Sequence, residues 1–428
     1  MAFAGCERSY DVVISSPTGV VKFQPRFFYS LRVALAVNKP GTIKIELPSI
    51  YCTTRPGGFD PSLFSCDDRI LIMREVDGVR SILGNTSFFL TDSYSIQDST
   101  GLRKTVIEGE AAIGLLSRYI NAYDADDLRS DIGDRPSDNA MKDIVDFNLG
   151  GAASSHAFAP GYAADPRRTY LFNNGYLTIQ AQTGSIVNEW SGDIENANVL
   201  EMLQRVAEYS FGEDEPLFFD LIQTTPFGNF EFQTFPNQRG TDRTQATGGV
   251  NTLTISPDTG AISEYELRFT CKDQLNRVYV GDKDGQGSGR GYTTVDDPDL
   301  TADQVTNPFV LRESFLAGSS NGPTDNRKDG QAELAAKAAT VQLRGRLGET
   351  NNFVFGRDFD FGDRLDAAVE GAFITVFIDT VTIDLADGEE VISPTFSTDL
   401  VNRQTGVGRI YQQLGDQRRL IQRVLRRE

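Results

Sequence analysis

Asp68-Arg69-Ile70, at the head of the run Arg69-Ile-Leu-Ile-Met-Arg-Glu-Val76, is echoed near the other end of the chain by Gly362-Asp363-Arg364-Leu365. Each motif opens a turn followed by a β-branched stretch, and each stretch ends before an Asp-Gly or Asp-rich turn. Asp77-Gly78 closes the first. An Asp-Gly dipeptide between apolar runs is a tight-turn signal. The echo predicts one small β-barrel design used twice, with a different kind of block between the two uses.

The surroundings of the first motif read as strands. Gly41-Thr-Ile-Lys-Ile-Glu-Leu47 alternates polar and apolar residues, as a half-buried strand does. Ser87-Phe-Phe-Leu-Thr-Asp-Ser-Tyr-Ser-Ile96 and Arg103-Lys-Thr-Val-Ile-Glu108 follow. Short strands with frequent turns predict a first β-barrel domain over 1–108.

From about Gly109 the period changes. Ile113, Leu116 and Ile120 form a helical stripe, and residues 124–138 read as a polar loop. Ser137 is placed to cap a helix whose Met141, Ile144, Val145 and Leu149 share a face. Asn198 with Glu201 suggests a capping box for a third helix carrying Leu200, Leu203, Val206, Ala207 and Phe211. Two strands then meet across Thr225-Pro-Phe-Gly228, giving an α+β domain over 109–245.

Alternation returns from Asn251 and predicts a second β-barrel domain over 246–400, with a helical insertion near 301–348. Its helix is predicted from Asp329 to Arg346, with Glu333 and Lys337 ordered for an i,i+4 pair. Residues 401–428 read as a basic C-terminal helix. The fold class is therefore α+β and β-rich: two related small tube-like barrels, an α+β domain between them, and a terminal helix.

Composition excludes several functions. The 428 residues carry 60 acidic against 41 basic side chains, a net charge of −19, which repels phosphate backbones. His156 is the single histidine, so a two-His zinc site within one chain is impossible, and no G-x-S-x-G elbow exists to meet it. It reads as a loop residue. Cys6, Cys52, Cys66 and Cys271 form no C-x-x-C pair. Cys52 and Cys66 could close a loop, but free thiols are expected. The N-terminus shows no secretory signal, and no apolar run reaches the 18 or so residues of a membrane span. No metal and no cofactor is expected.

The candidate motifs for chemistry read as turns. Gly285-Gln-Gly-Ser-Gly-Arg-Gly291 lacks the Gly-Lys-Ser/Thr ending of a P-loop, and a strand follows it where a phosphate site needs a helix. Asp282-Lys-Asp-Gly285 and Asp358-Phe-Asp-Phe-Gly-Asp363 lack the alternating ligands of a calcium loop. Among so many carboxylates a glycosidase acid pair cannot be read from spacing, and the one tryptophan, Trp190, offers little sugar-stacking surface. No catalytic residue is assigned. The tail holds seven Arg against Asp416 and Glu428 over 401–428. There Ile410, Leu414, Ile421 and Val424 fall near coiled-coil spacing, either to dock on the chain's own barrel or to contact another subunit or partner.

These segments together resemble siphophage tail-hub (baseplate-hub) proteins. The resemblance is carried by Asp68-Arg-Ile-Leu-Ile-Met-Arg74, Leu83-Gly-Asn-Thr-Ser-Phe-Phe-Leu90 and the run from Thr105 to Arg118. It continues in Phe235-Pro-Asn-Gln-Arg-Gly-Thr-Asp-Arg243, the run from Asn276 to Arg290, and Phe361-Gly-Asp-Arg-Leu365. It implies a non-enzymatic virion protein of the bacteriophage tail tip, assembled in the host cytoplasm. It also implies a homotrimer in which six barrels continue the tail tube. The implied partners are tail tube and distal tail proteins, the tape-measure protein, and tail fibre or receptor-binding proteins, with DNA only in transit. A virion-associated glycan hydrolase and a receptor-binding adhesin module are the alternatives.

Overall fold

The computed structural model describes residues 8–48 and 63–398, apart from 98, 100, 122, 124–129, 155–167, 195–196, 213–214, 246–251, 283–290, 319–321, 348–352, 371 and 387. His156, Cys52 and the whole 401–428 segment, including Ile410, Leu414, Ile421 and Val424, lie outside the described residues.

The first block is eight strands: β1 (Arg8–Ser15), β2 (Val21–Phe23), β3 (Ser30–Ala36), β4 (Thr42–Pro48), β5 (Arg69–Val76), β6 (Val79–Ile82), β7 (Phe88–Gln97) and β8 (Arg103–Ala111). In β4 the alternation has its expected effect, with Ile43, Ile45 and Leu47 buried and Thr42 and Lys44 exposed. Asp77 and Gly78 both take positive φ, the two-residue turn that matches strand twist, and Val76 pairs with Val79. The stripe at Ile113 and Leu116 is a 3-10 turn, Ala112–Arg118, rather than a full helix. Strand bonding runs on through Ala111 and Ala112, whose amides reach Gly41 O and Ser87 O, so little chain is left to wind.

The middle block contains β9 (Asp131–Pro136), α1 (Ser137–Leu149), α2 (Tyr170–Asn173), β10 (Leu177–Ile179), β11 (Glu189–Asp193), α3 (Val199–Gly212), β12 (Leu217–Ile222) and β13 (Phe230–Pro236). Met141, Ile144, Val145 and Leu149 are buried along one face of α1. Ser137 does not cap that helix; its hydroxyl donates to Asn188 O. Asn198 does cap α3, its Oδ1 accepting from the amides of Leu200 and Glu201 at 3.0 and 3.3 Å. Residues 131–136, read as polar loop, form β9 and pair antiparallel with β11. The partner sets that pairing, because the residues themselves show no alternation. β12 and β13 form the expected hairpin across Thr225–Gly228.

The last block holds β14 (Thr254–Ile255), β15 (Ile262–Thr270), β16 (Arg277–Gly281), β17 (Tyr292–Asp296), α4 (Leu300–Thr306), β18 (Glu313–Ala317), α5 (Pro323–Ala336), β19 (Thr340–Leu347), β20 (Arg364–Val369), β21 (Ala372–Ala386) and β22 (Glu389–Thr398). The helix predicted from Asp329 to Arg346 runs instead from Pro323 to Ala336, and 340–347 is strand. Pro323 in the first turn fixes the start. Lys337 falls just past the end, so the expected Glu333–Lys337 pair does not sit within the helix. β17-β16-β18 form a separate small sheet with its own core of Val278, Val280 and Val295. A hydrogen bond from Leu275 N to Lys337 O closes the base of this excursion.

Sequence-distant blocks merge in one sheet. Its order is β15-β19-β22-β21-β3-β4-β8-β7-β5-β1-β2, with β6, β14 and β20 attached to the side. The join is β21 against β3, antiparallel, from Thr380↔Ala36 to Ala386↔Ser30. Val381, Ile383 and Leu385 there pack with Leu31, Val33 and Leu35, all buried. One apolar core runs through both β blocks and the middle unit. Phe218 meets Phe377 and Phe89 meets Phe230, each with ring centres 5.8 Å apart.

Candidate functional site

The two echoed motifs fold into the same corner. In the first, Asp68 N donates to Ser65 O and the Asp68 carboxylate accepts Ser65 N at 2.9 Å. In the second, Asp363 N donates to Asp360 O and the Asp363 carboxylate accepts Asp360 N at 2.9 Å. The third residue of each turn has positive φ, Asp67 at 69° and Gly362 at 83°, as a type II turn requires. Both carboxylates are buried and each takes a cation from earlier in the chain. Lys22 Nζ lies 2.8 Å from both oxygens of Asp68, and Arg243 Nε lies 2.6 Å from Asp363 Oδ2.

The likeness extends into the strands. Asp67 N reaches Leu90 O and Leu90 N reaches Asp68 O, at 3.2 and 2.8 Å. Gly362 N reaches Ile378 O and Ile378 N reaches Asp363 O, at 3.2 and 2.9 Å. A bulge then follows each contact, between Leu90 and Asp92 in β7 and between Ile378 and Thr380 in β21. A bulge bends its strand and sharpens the twist. Below it, β7 pairs with β5 and β21 with β20; above it, β21 turns to β3. The pairing sequence β3-β4-β8-β7 thus matches β15-β19-β22-β21 strand for strand.

The middle unit is fastened to both corners by arginines. Arg69 donates to Phe227 O and Gly228 O at 3.1 and 2.9 Å and lies 4.7 Å from the Phe230 ring centre. Burial lowers its guanidinium to about 10. Arg239 donates to Asp220, to Gly84 O near the first corner and to Phe361 O in the second. Burial raises the Asp220 carboxyl although Arg239 opposes the shift. A third cluster joins β1 and β5 to β22: Glu390 accepts from Arg8, Tyr10 and Arg74, with Arg74 Nη2 at 3.1 Å. Burial alone would raise the Glu390 carboxyl, but Arg74, Tyr10 and Arg8 together hold it below the usual range. Burial pushes the Tyr10 hydroxyl up.

The other face of the long sheet is polar and carries cross-strand ion pairs. Lys44 meets Glu108 at 2.9 Å, Lys104 meets Glu46 at 3.0 Å, and Arg32 meets Asp384 across the β21–β3 join at 3.5 Å. Among the strand edges with no strand partner in the described residues are β7 beyond its bulge and the side of β15 away from β19.

The sequence-level candidates for chemistry behave as turn residues. Asp358 accepts Val354 N, Asp360 accepts Phe361 N, and Asp363 accepts Thr241 N, so these carboxylates hold backbone rather than a calcium ion. Strands β16 and β17, which flank the glycine-rich run, are antiparallel partners; residues 283–290 of the run lie outside the described residues. Trp190 is 2% exposed and cannot stack on a sugar. Cys66 and Cys271 are free. Among the described residues no cluster of three metal-ligating side chains occurs, and no helix is long and apolar enough to cross a membrane. A cavity of about 180 Å3 lies between the first block and the middle unit; Arg69 is its one charged lining residue, beside apolar groups such as Phe89, Leu149 and Leu221. It holds no carboxylate pair.

No family model and no curated protein matches the chain. Solved structures do. A tail protein from Neisseria meningitidis superposes with a TM-score of 0.53 at 13% identity, over 92% of this chain and 98% of that one. The 43 kDa tail protein of prophage MuSo2 from Shewanella oneidensis gives 0.53 at 10% identity, over 91% and 99%. The chain has the fold of these tail proteins along nearly its full length.

Proposed function

We propose that the chain is a structural hub of a bacteriophage tail tip. Three copies form a ring that continues the tail tube, anchors distal tail and fibre proteins, and lets DNA through during ejection. One observation carries the proposal: the sheet is built from two equivalent four-strand units joined head to tail, β21 to β3. A unit that repeats by one operation builds rings when the rotation closes. Two units per chain make three chains a six-unit ring. The fold shared with the Neisseria and Shewanella tail proteins supports the same role.

In this proposal residues 1–108 and 246–400 supply the two related barrel-like units, and 109–245 brace them from outside. The apolar face of the sheet is spent on the core, so the polar face is the one left for a bore. Its interleaved ion pairs neutralise Arg32, Lys44 and Lys104, which lessens the grip on phosphates. That is a better account of DNA slipping through than net acidity alone. The raised carboxyl of Asp220 is driven by burial and opposed by Arg239, the balance of a structural ion pair, which fits a protein without catalytic duty.

Light scattering on the purified full-length chain tests the proposal. The expected particle has three times the 47.1 kDa chain mass, and negative-stain images show a ring with a central hole. A monomer at every concentration up to the millimolar range defeats it.

A further inference from the structure

We infer that neighbouring copies join by adding the β15 edge of one to the upper half of β7 of the next, in a register fixed by the chain's own β21–β3 join. This rests on the ring proposed above and names the surface that makes it.

The argument is one of equivalence. Leu90 pairs with Gly109 where Ile378 pairs with Phe396, and Asp92 pairs with Glu108 where Thr380 pairs with Thr395. β7 therefore maps on β21 with Asp92 at the place of Thr380. On the other side, Gly109 faces Ile43 and Phe396 faces Leu343; Ile43 in turn faces Val33 and Leu343 faces Leu267. β3 therefore maps on β15 with Val33 at the place of Leu267. Within the chain Thr382 faces Ala34 and Ile383 faces Val33. Carried over, Tyr94 of one copy faces Arg268 of the next, and Ser95 faces Leu267. Asp92 then faces Thr270, and Gln97 faces Tyr265.

The two edges are suited to each other. Each is one of the strand sides that the described residues leave without a strand partner, and a long open edge invites another strand. Val37 N donates to Asp379 O at 3.0 Å in the internal join, so odd-numbered residues of β21 turn their backbone groups to β3. The same parity in β7 turns the backbone of Ser93, Ser95 and Gln97 outward. Tyr265 is 37% exposed and Leu267 half-buried, an apolar pair waiting on the side where Leu31 and Val33 are covered. On the other face Tyr94 offers its ring to Arg268, and Asp92 lies diagonal to that guanidinium, so the pairing is complementary.

The test uses the full-length chain with Tyr94→Cys and Arg268→Cys together, against each single variant and an off-register pair, Tyr94→Cys with Glu266→Cys. Mild oxidation should give covalent dimers and trimers from the first pair in at least tenfold excess over the controls, with peptide mapping placing the bond between 94 and 268. Ser95→Pro removes an outward N–H at an open edge, where proline does little harm to a lone chain. It should keep the monomer's unfolding midpoint while weakening assembly at least 100-fold. A trimer by mass whose designed pair cross-links no better than the off-register pair overturns this interface and leaves the ring standing. A chain that is monomeric throughout overturns both.

Discussion

Asp363→Asn is the substitution that most directly interrogates the corner. The native carboxylate is 1% exposed and accepts three donors: Thr241 N at 2.6 Å on Oδ1, and Arg243 Nε at 2.6 Å and Asp360 N at 2.9 Å on Oδ2. An amide of the same shape has one acceptor oxygen. Placed on Oδ1, its NH2 confronts Arg243 and the Asp360 amide, donor against donor. Flipped, it confronts Thr241. Either way Arg243, with its side chain 15% exposed, loses its counter-charge. Breaking a buried pair costs about 3–5 kcal/mol. At m values of roughly 1–3 kcal/mol/M this lowers the urea midpoint by about 1 M or more. Asp68→Asn at the equivalent corner should cost about 1–3 kcal/mol, the range for a buried polar group that loses its partner. There Lys22, 28% exposed, can turn to water. Urea unfolding followed by circular dichroism measures both, and amide exchange at Gly362 and Ile378 locates the damage. An Asp363→Asn chain within 0.5 kcal/mol of native, or one less affected than Asp68→Asn, would refute the reasoning.

Glu390 is held below its ordinary value when folded, so its contribution is complete above the unfolded value near pH 4.3 and drains as pH falls through the lower folded value. The stability gap between native protein and Glu390→Gln is thus widest near neutrality and narrows in acid. A gap constant from pH 7 to pH 3 contradicts this. Arg69→Ala strips two carbonyls of the β12–β13 turn of their donor and removes the cation over Phe230, at a cost of about 2–4 kcal/mol. Exchange of the Gly228 amide should accelerate at least 30-fold, while amides at the β21–β3 join change far less. Equal acceleration at both sites would show that Arg69 does not act locally.

Side-chain patterns made some elements legible and hid others. The alternation of β4, the stripe of α1 and the Asn198 cap report burial and local hydrogen bonds, both of which depend on residue type. β9 was unreadable because its pairing to β11 uses backbone groups that every residue has. The same reason makes the duplication faint. Of the residues that build each corner, only the buried acid and the arginine after it recur. The positive-φ place accepts Asp67 once and Gly362 once, and the pairing opposite Leu90 and Ile378 is met by Gly109 and by Phe396. The expected β-rich α+β class agrees with the structure, yet the sequence pattern could not show that the β blocks at either end share one sheet. That junction is a contact between residues some 350 apart, and no local periodicity encodes it.

The tie between Glu390 and the first described strand has a consequence for how the chain is made. Arg8 and Glu390 are 382 residues apart, and Arg74 and Glu390 are 316 apart. At translation rates of about 5–20 residues per second, Arg8 waits roughly 20–75 s for its partner to leave the ribosome. Through that interval Arg8, Tyr10 and Arg74 lack Glu390, and β3 has no β21 beside it. Only a polypeptide translated past Glu390 can settle into its final state. A prematurely terminated copy would keep two half-buried arginines in place of a finished corner, and cellular proteases would find it open. Completion of the Glu390 cluster and of the β21–β3 join is thereby one late step, taken only when both halves of the sheet are present.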